Sequence, residues 1–277
     1  MLRPAREACY GIEDFLYPAG QLGLLRRVVW VAPPHVLQAG MAVALRGLLQ
    51  MEGVTIEDLE TFRVAAGGVI EGRLLGLDLA ICTLAQLPQA ALAPPLLFDI
   101  DADYFVAVPE DAIWCEPRAV VAQLRALAGP DAALTIARSV GSGFMPLQYR
   151  FVADLLAALW DGRAAQAAHW QRLLDLMRSG AGQGALAALQ ASEPGCAASA
   201  HALALSMPDG PQRSAMLAHA ASLDPCYADD IVRRLGQVRA RRKRFDLAAL
   251  MALLRELRET PPERARGDCL GAARASV

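Results

Sequence analysis

The order of apolar and polar positions divides the chain into two parts that meet near residue 150. In the first part, short apolar runs alternate with segments in which apolar residues recur at helical spacing. This alternation is typical of βαβ units, so it predicts an α/β fold with a mostly parallel sheet. The predicted elements are strands at residues 25–32, 77–83, 96–101 and 133–137, a hairpin of 61–65 and 68–74 across Gly67, and helices at 36–50 and 116–128.

The second part lacks strand patterns, and its apolar residues follow helical spacing throughout. Residues 216–225 resemble the end of a tetratricopeptide repeat, where a small residue packs on the neighbouring helix and a proline begins the next unit. We therefore expect an α/β domain over 1–160, a helical, repeat-like domain over 161–262 that could contact a protein partner, and a disordered tail over 263–277. The predicted helices are residues 149–161, 164–177, 184–190, 197–205, 211–222, 226–241 and 245–259.

Composition narrows the classes of protein that this chain can represent. Its 277 residues are 55% hydrophobic and carry a net charge of −2, which indicates a globular protein without a general nucleic-acid surface. No apolar run reaches the roughly 18 residues that span a bilayer, so no membrane segment is expected. The six cysteines are scattered and form no CxxC pair, which predicts a reducing, cytoplasmic location.

The candidate chemistry lies in residues 96–105, where an apolar run ends in three alternating acids. Alternate residues of a strand share a face, so Asp99, Asp101 and Asp103 can converge at the carboxyl end of one strand. Because isolated carboxylates are costly to desolvate, such a group needs a cation, and hard oxygen ligands favour Mg, Ca or Mn. The alternative is a capping or turn role for these acids at the strand end.

Three kinds of enzyme place such acids at a strand end. In a phosphatase of the haloacid dehalogenase type, Asp103 would occupy a position that calls for Thr or Val, and the motif would lie too late in the chain. A glycosyltransferase uses an Asp-x-Asp motif to hold a metal on a nucleotide-sugar diphosphate, but no glycine-rich phosphate loop precedes this motif. The third kind is the arginase and deacetylase fold, whose strand ends in Asp-x-Asp metal ligands.

The wider context resembles the peptide arginase family, whose members act on arginine within a peptide. Residues 98–106 resemble the family's Asp-Ile-Asp-x-Asp-Tyr/Phe-Phe signature. Residues 11–19 and 27–34 are similar to an early segment and the strand after it, and 135–139 with 143–146 are similar to a late active-site strand and loop. The resemblance implies an α/β domain of the arginase/deacetylase type and covers about half of the chain.

The resemblance also implies a chemistry and a set of residues. Asp99 and Asp101 would bind Mn, which is binuclear in this family, and two ions sharing a water supply hydroxide at neutral pH. Asp103 would orient a ligand or face the substrate cation, while Arg138 and Ser139 would orient substrate or line the pocket. The substrate would be an arginine-containing precursor peptide in peptide natural-product maturation, and the products ornithine and urea. We expect the carboxylates of Asp99 and Asp101 to lie close together, in a pocket with Arg138 or Ser139.

One departure from the family keeps a second class of function open. The fold supplies further metal ligands from an Asp-x-His motif on an earlier strand, and no Asp-x-His occurs in this sequence. His35 is the only histidine in the first half. We expect an N-terminally truncated sheet that lacks the ligand strand, or else a decayed metal site. In the second case the chain would be a non-catalytic interaction protein with helical repeats.

Overall fold

A computed structural model gives the architecture of the chain. It describes residues 16–38, 40–48, 54–107, 111–129, 132–140 and 145–228. The chain is a mixed α/β protein whose contacts form two compact units that divide between Leu96 and Leu97. The following predicted segments lie outside the described residues: the helix at 245–259, the helix at 226–241 beyond residue 228, the tail, and residues 11–15 and 143–144 of the family resemblance. No helix among the described residues combines the length and apolar character that crossing a membrane needs.

The first unit contains a four-stranded mixed sheet in the order β1-β4-β3-β2. Strand β1 is parallel to β4, whereas β3 is antiparallel to both of its neighbours. The predicted hairpin across Gly67 is present between β2 and β3. The elements are α1 (Leu16–Gln21), β1 (Arg27–Val31), α2 (Pro34–Gln38), α3 (Met41–Leu48), α4 (Ile56–Glu60), β2 (Arg63–Val64), β3 (Ile70–Leu74) and β4 (Leu77–Cys82).

Two differences from the sequence prediction have local backbone causes. Leu75 and Gly76 connect β3 to β4 with φ of 51° and 84°, the conformation of a tight two-residue turn. Such a turn joins only antiparallel strands, so this sheet is mixed rather than mostly parallel. The single helix predicted at 36–50 is instead divided into α2 and α3, because Gly40 adopts a φ of 93° that an α-helix cannot contain.

The core of the first unit forms where β3 and β4 pack against α3 and the segment after α4. Gly72 in β3 faces the ring of Phe62, and a Cβ at this position would lie 2.5 Å from Phe62 Cγ. Glycine is required here because the ring occupies the space that a side chain would fill. The buried members of this core are Ala32, Leu45, Leu48, Phe62, Ile70, Leu74, Leu79 and Ile81.

The second unit begins with a β-α-β arrangement and continues as a series of helices. Strands β5 and β8 are parallel, and β6 pairs with β7 in a short antiparallel ribbon. From residue 145 to 228 the described chain contains only helices, as the sequence predicted. The elements are β5 (Leu97–Asp101), β6 (Val106–Ala107), β7 (Ala112–Ile113), α5 (Pro117–Leu127), β8 (Ala133–Ala137), α6 (Val152–Trp160), α7 (Ala164–Arg178), α8 (Gln183–Ser192), α9 (Ala197–Ser206) and α10 (Pro211–Leu223).

Helix α6 joins the strand pair to the helical series. Its residues Leu155 and Leu156 are fully buried, and the helix packs against α5, β8 and α7. The ring of Trp160 at its end meets Phe98 of β5 edge-on, with centroids 5.6 Å apart. The two compact units divide between Leu96 and Leu97, so the domain boundary that the sequence predicted at residue 160 lies inside the second unit.

Candidate functional site

The acidic residues of β5 lie on one exposed face of the β5–β8 pair. Asp99 and Asp101 are exposed, while Ile100 between them is buried, as the alternation of a strand requires. Two residues of extended strand separate their Cα atoms by about 7 Å, so both carboxylates project from the same side. The opposite side carries Phe98 and Ile100 and is the packed side of the pair.

Hydroxyl groups of the neighbouring chain segment hold both carboxylates. Thr135 lies opposite Asp99 in the parallel register, and its Oγ1 donates to Asp99 Oδ1 over 2.5 Å. Ser139, just beyond the end of β8, donates from Oγ to Asp101 Oδ1 over 3.1 Å. The structure thus brings Ser139 to Asp101, and it adds Thr135, which the sequence analysis did not select. Only the strand register could have indicated that Thr135 is a partner of Asp99.

Asp103 lies in the 3₁₀ turn Ala102–Phe105 that follows β5. Burial first, and the nearby Asp101 carboxylate second, raise the pKa of its carboxyl group to about 6, although the backbone N–H groups of Asp103 and Tyr104 act to lower it. Asp101 and Asp103 are therefore close enough for their charges to repel. A bound cation would relieve this repulsion.

Arg138 is not joined to the acids of β5. Its Nη1 and Nη2 donate to Oδ2 and Oδ1 of Asp154 on α6, over 2.9 and 2.7 Å. The hydrogen bonds to Asp154 raise the pKa of the arginine, which keeps it charged. Such a bidentate pair fixes the guanidinium plane, so Arg138 links the end of β8 to α6. The predicted role of Arg138 in orienting substrate or lining the pocket stays a prediction.

A further charged cluster consists of Arg150, which precedes α6, and of Asp224 and Tyr227, which follow α10. Arg150 Nη1 pairs with Asp224 Oδ2 over 2.8 Å, and its guanidinium lies 5.5 Å from the centre of the Tyr227 ring. Burial raises the pKa of Tyr227, which is 3% exposed. Asp224 and Tyr227 also contribute to the electrostatic environment of Arg138. The sequence did not indicate this cluster, because its members are far apart along the chain.

The donor atoms at β5 suit a hard divalent cation, but they supply only part of a metal site. Carboxylate oxygens such as those of Asp99 and Asp101 are ligands that Mn²⁺ accepts. Across the part of the chain that the structure describes, no group of three His, Cys, Asp or Glu side chains is arranged to hold a metal. His35, the only histidine in the first half of the sequence, lies in α2 of the first unit. The described residues do not complete the two-metal shell that the family resemblance implies.

The chain was compared with known families, curated proteins and solved structures. No family model, no curated protein and no solved structure matches it. The interpretation of the strand-end acids rests on their own motif and geometry.

Proposed function

We propose that this chain is a hydrolase of the peptide arginase type, which converts arginine in a precursor peptide to ornithine and releases urea. The observation that carries the proposal is the placement of Asp99 and Asp101 on one open face at the carboxyl end of β5. That end of a parallel strand pair is where α/β proteins build their ligand sites. The acidic signature of residues 98–106 supports the same family.

The chain's own residues have distinct roles in this proposal. Asp99 and Asp101 would hold Mn²⁺, and the hydroxyls of Thr135 and Ser139 would fix the rotamers of those carboxylates. Asp103 adds negative charge beside Asp101, where it would bind the substrate guanidinium or orient a ligand. A divalent metal at such a site would lower the pKa of bound water and so supply hydroxide. The guanidinium carbon is stabilised by resonance, so its hydrolysis requires such a strong nucleophile.

The contacts of Arg138 support a positioning role besides the predicted one of orienting substrate or lining the pocket. Its bidentate pair with Asp154 occupies the guanidinium and connects the segment before Ser139 to α6. Because Ser139 follows Arg138 directly, fixing the arginine also fixes the hydroxyl that bonds Asp101. We propose that Arg138 acts on the site through Ser139.

The proposal is tested by measuring metal binding and urea release with the full chain. Calorimetric titration with Mn²⁺ should show weak binding, because the described residues supply two carboxylates and few other ligands. An arginine-containing peptide incubated with Mn²⁺ should be converted slowly to the ornithine form, detected by mass spectrometry and by urea release. Asp101→Ala should weaken Mn²⁺ binding by about tenfold or more and abolish urea release, since a charged ligand is lost.

Asp175→Asn provides the control, because Asp175 is an exposed acid on α7 whose carboxylate accepts a hydrogen bond from Gln171 and lies outside the strand-end site. This variant should leave metal binding and urea release unchanged. Urea release that survives Asp101→Ala, or Mn²⁺ binding equal in the two variants, would contradict the proposed role of the strand-end acids.

A non-catalytic interaction protein is the second candidate. Two observations favour it: the described residues present no complete metal-ligand group, and α6 to α10 form a helical series typical of binding modules. In this case an arginine-containing peptide would bind equally well with Mn²⁺ or with a chelator, and no urea would form. Calorimetric titration with the peptide, in Mn²⁺ and in chelator, together with the urea assay, therefore separates the two candidates.

We propose a cytoplasmic location for the protein under both candidate functions. Three cysteines of the described residues, Cys82, Cys115 and Cys196, are free thiols. Burial raises the pKa of Cys82 to about 11, which keeps that thiol protonated and unreactive. Unpaired cysteines are typical of a reducing compartment.

A further inference from the structure

Ser139 has a backbone conformation that residues with a side chain rarely adopt. It lies just beyond the end of β8, and its φ is 51°, in the left-handed region. A Cβ makes this region unfavourable, whereas glycine adopts it readily. Leu75 has the same φ, but it lies in the tight turn that joins two antiparallel strands. No hairpin accounts for Ser139, because β8 pairs with β5 in parallel.

Contacts on both sides of Ser139 hold this conformation. Arg138, before it, is fixed by its bidentate pair with Asp154. Val140, after it, is buried. The carbonyl oxygen of Ser139 accepts a hydrogen bond over 2.9 Å from the backbone N–H of Met145, which is itself fully buried. The backbone of Ser139 therefore cannot relax without disturbing one of these contacts, which is how a structure keeps a strained residue in place.

The hydroxyl group is what a serine provides here and a glycine would not. Its Oγ donates to Oδ1 of Asp101 over 3.1 Å. Asp101 is one of the two carboxylates that project from the open face of β5. Groups that orient a metal-ligating carboxylate by a hydrogen bond typically change metal affinity by about 10–100-fold.

We infer that Ser139 is a positioning residue whose left-handed backbone aims its hydroxyl at Asp101 and so prepares that carboxylate for a divalent cation. The inference rests on the proposed function, because it takes Asp101 to be a ligand. It adds that one residue must combine two properties, a hydrogen-bond donor and a left-handed backbone. Strain that lowers stability and preorganises a functional group is typical of functional sites. Relieving the strain and removing the hydroxyl should therefore have opposite effects on stability and on metal affinity.

Thermal unfolding of the full chain measures the strain. Ser139→Gly and Ser139→Ala both lack the hydroxyl, so the comparison isolates the backbone preference of the residue. Ser139→Gly should unfold about 2–4 °C above Ser139→Ala, because glycine accepts the left-handed region. Ala91→Gly is the matched control, since Ala91 is an exposed residue of the first unit with a φ of 46°. This control should also raise the unfolding temperature of the original chain.

Calorimetric titration with Mn²⁺ measures the positioning. Ser139→Gly lacks the donor and should bind Mn²⁺ about tenfold more weakly than the original chain. Ser139→Thr keeps the hydroxyl, but its branched Cβ disfavours a positive φ, so it should weaken binding as well. Ser139→Asn tolerates the left-handed region and supplies an amide donor, so it should retain most of the affinity. Ala91→Gly should bind Mn²⁺ like the original chain. A purely structural role would not make Ser139→Gly more stable than Ser139→Ala and yet weak in binding.

Three results would overturn the inference. Equal unfolding temperatures of Ser139→Gly and Ser139→Ala would show that the backbone is not strained. Unchanged Mn²⁺ affinity of Ser139→Gly would show that the hydroxyl does not position Asp101, and unchanged affinity of Ser139→Thr would show that the left-handed backbone is not needed. An original chain that binds no Mn²⁺ would overturn the proposed function and the positioning role together, whereas the unfolding temperatures would still decide whether Ser139 is strained.

Discussion

Burial of His201 predicts a specific dependence of stability on pH. His201 is in the middle of α9, and the residue is 6% exposed. Its ring centre lies 5.1 Å from that of Tyr227, and Nδ1 has no hydrogen-bond partner among the described residues. Burial first, and the positive charge of Arg213 second, lower the pKa of His201 from 6.5 to about 4.

The sign and size of the effect follow from this difference. Between the two pKa values the unfolded chain binds a proton that folded His201 does not accept. The stabilisation is therefore fully present above the unfolded pKa of 6.5 and is lost as the pH falls through the folded pKa of about 4. Each pKa unit is worth 1.36 kcal/mol, so the interval corresponds to a loss of about 3 kcal/mol in the free energy of unfolding.

The assay compares urea unfolding of the original chain with that of His201→Gln, monitored by tryptophan fluorescence. Acids titrate in the same pH range, so the informative quantity is the difference between the two proteins. From about pH 7 to about pH 4, the stability of His201→Gln relative to the original chain should rise by about 3 kcal/mol.

His219→Gln is the control, because His219 is an exposed histidine on α10. This variant should follow the original chain at every pH. A His201→Gln protein whose unfolding free energy changes with pH just as that of the original chain does would refute the reasoning. In that case His201 would have to accept a proton in the folded protein at its ordinary pKa.

Two further variants test packing and the link between β8 and α6. Asp154→Asn should lower the free energy of unfolding by about 0.5–1 kcal/mol in urea titrations, because its pair with Arg138 is partly exposed and solvent screens it; an unchanged midpoint would show that the pair adds no stability. Gly72→Ala should cost about 1–3 kcal/mol in thermal or urea unfolding, because its Cβ would meet the Phe62 ring at 2.5 Å. Gly129→Ala, where a Cβ has open space, should cost much less, and equal losses would contradict the packing argument.

Local sequence signals were sufficient for most elements of this fold. The strand at 133–137 was predicted with the bounds that the structure has, and the helix from Pro117 ends at Leu127, one residue before its predicted end. Apolar runs, a proline at the start of a helix and glycine between segments act within a few residues, so they can be recognised without knowing the fold. The same alternation placed Asp99 and Asp101 on one face of β5, as observed.

Tertiary structure alone decided which groups meet. The parallel register of β5 and β8 sets Thr135 beside Asp99, and the packing of α6 brings Asp154 to Arg138. A groove lined by His169 and Arg172 of α7 and Leu189 of α8 exists only where these two helices pack together. Periodicity determines which face of an element a residue occupies, because it depends on the geometry of a single strand or helix. Partners across elements depend on register and helix packing, which involve residues distant in sequence, so only the folded chain determines them.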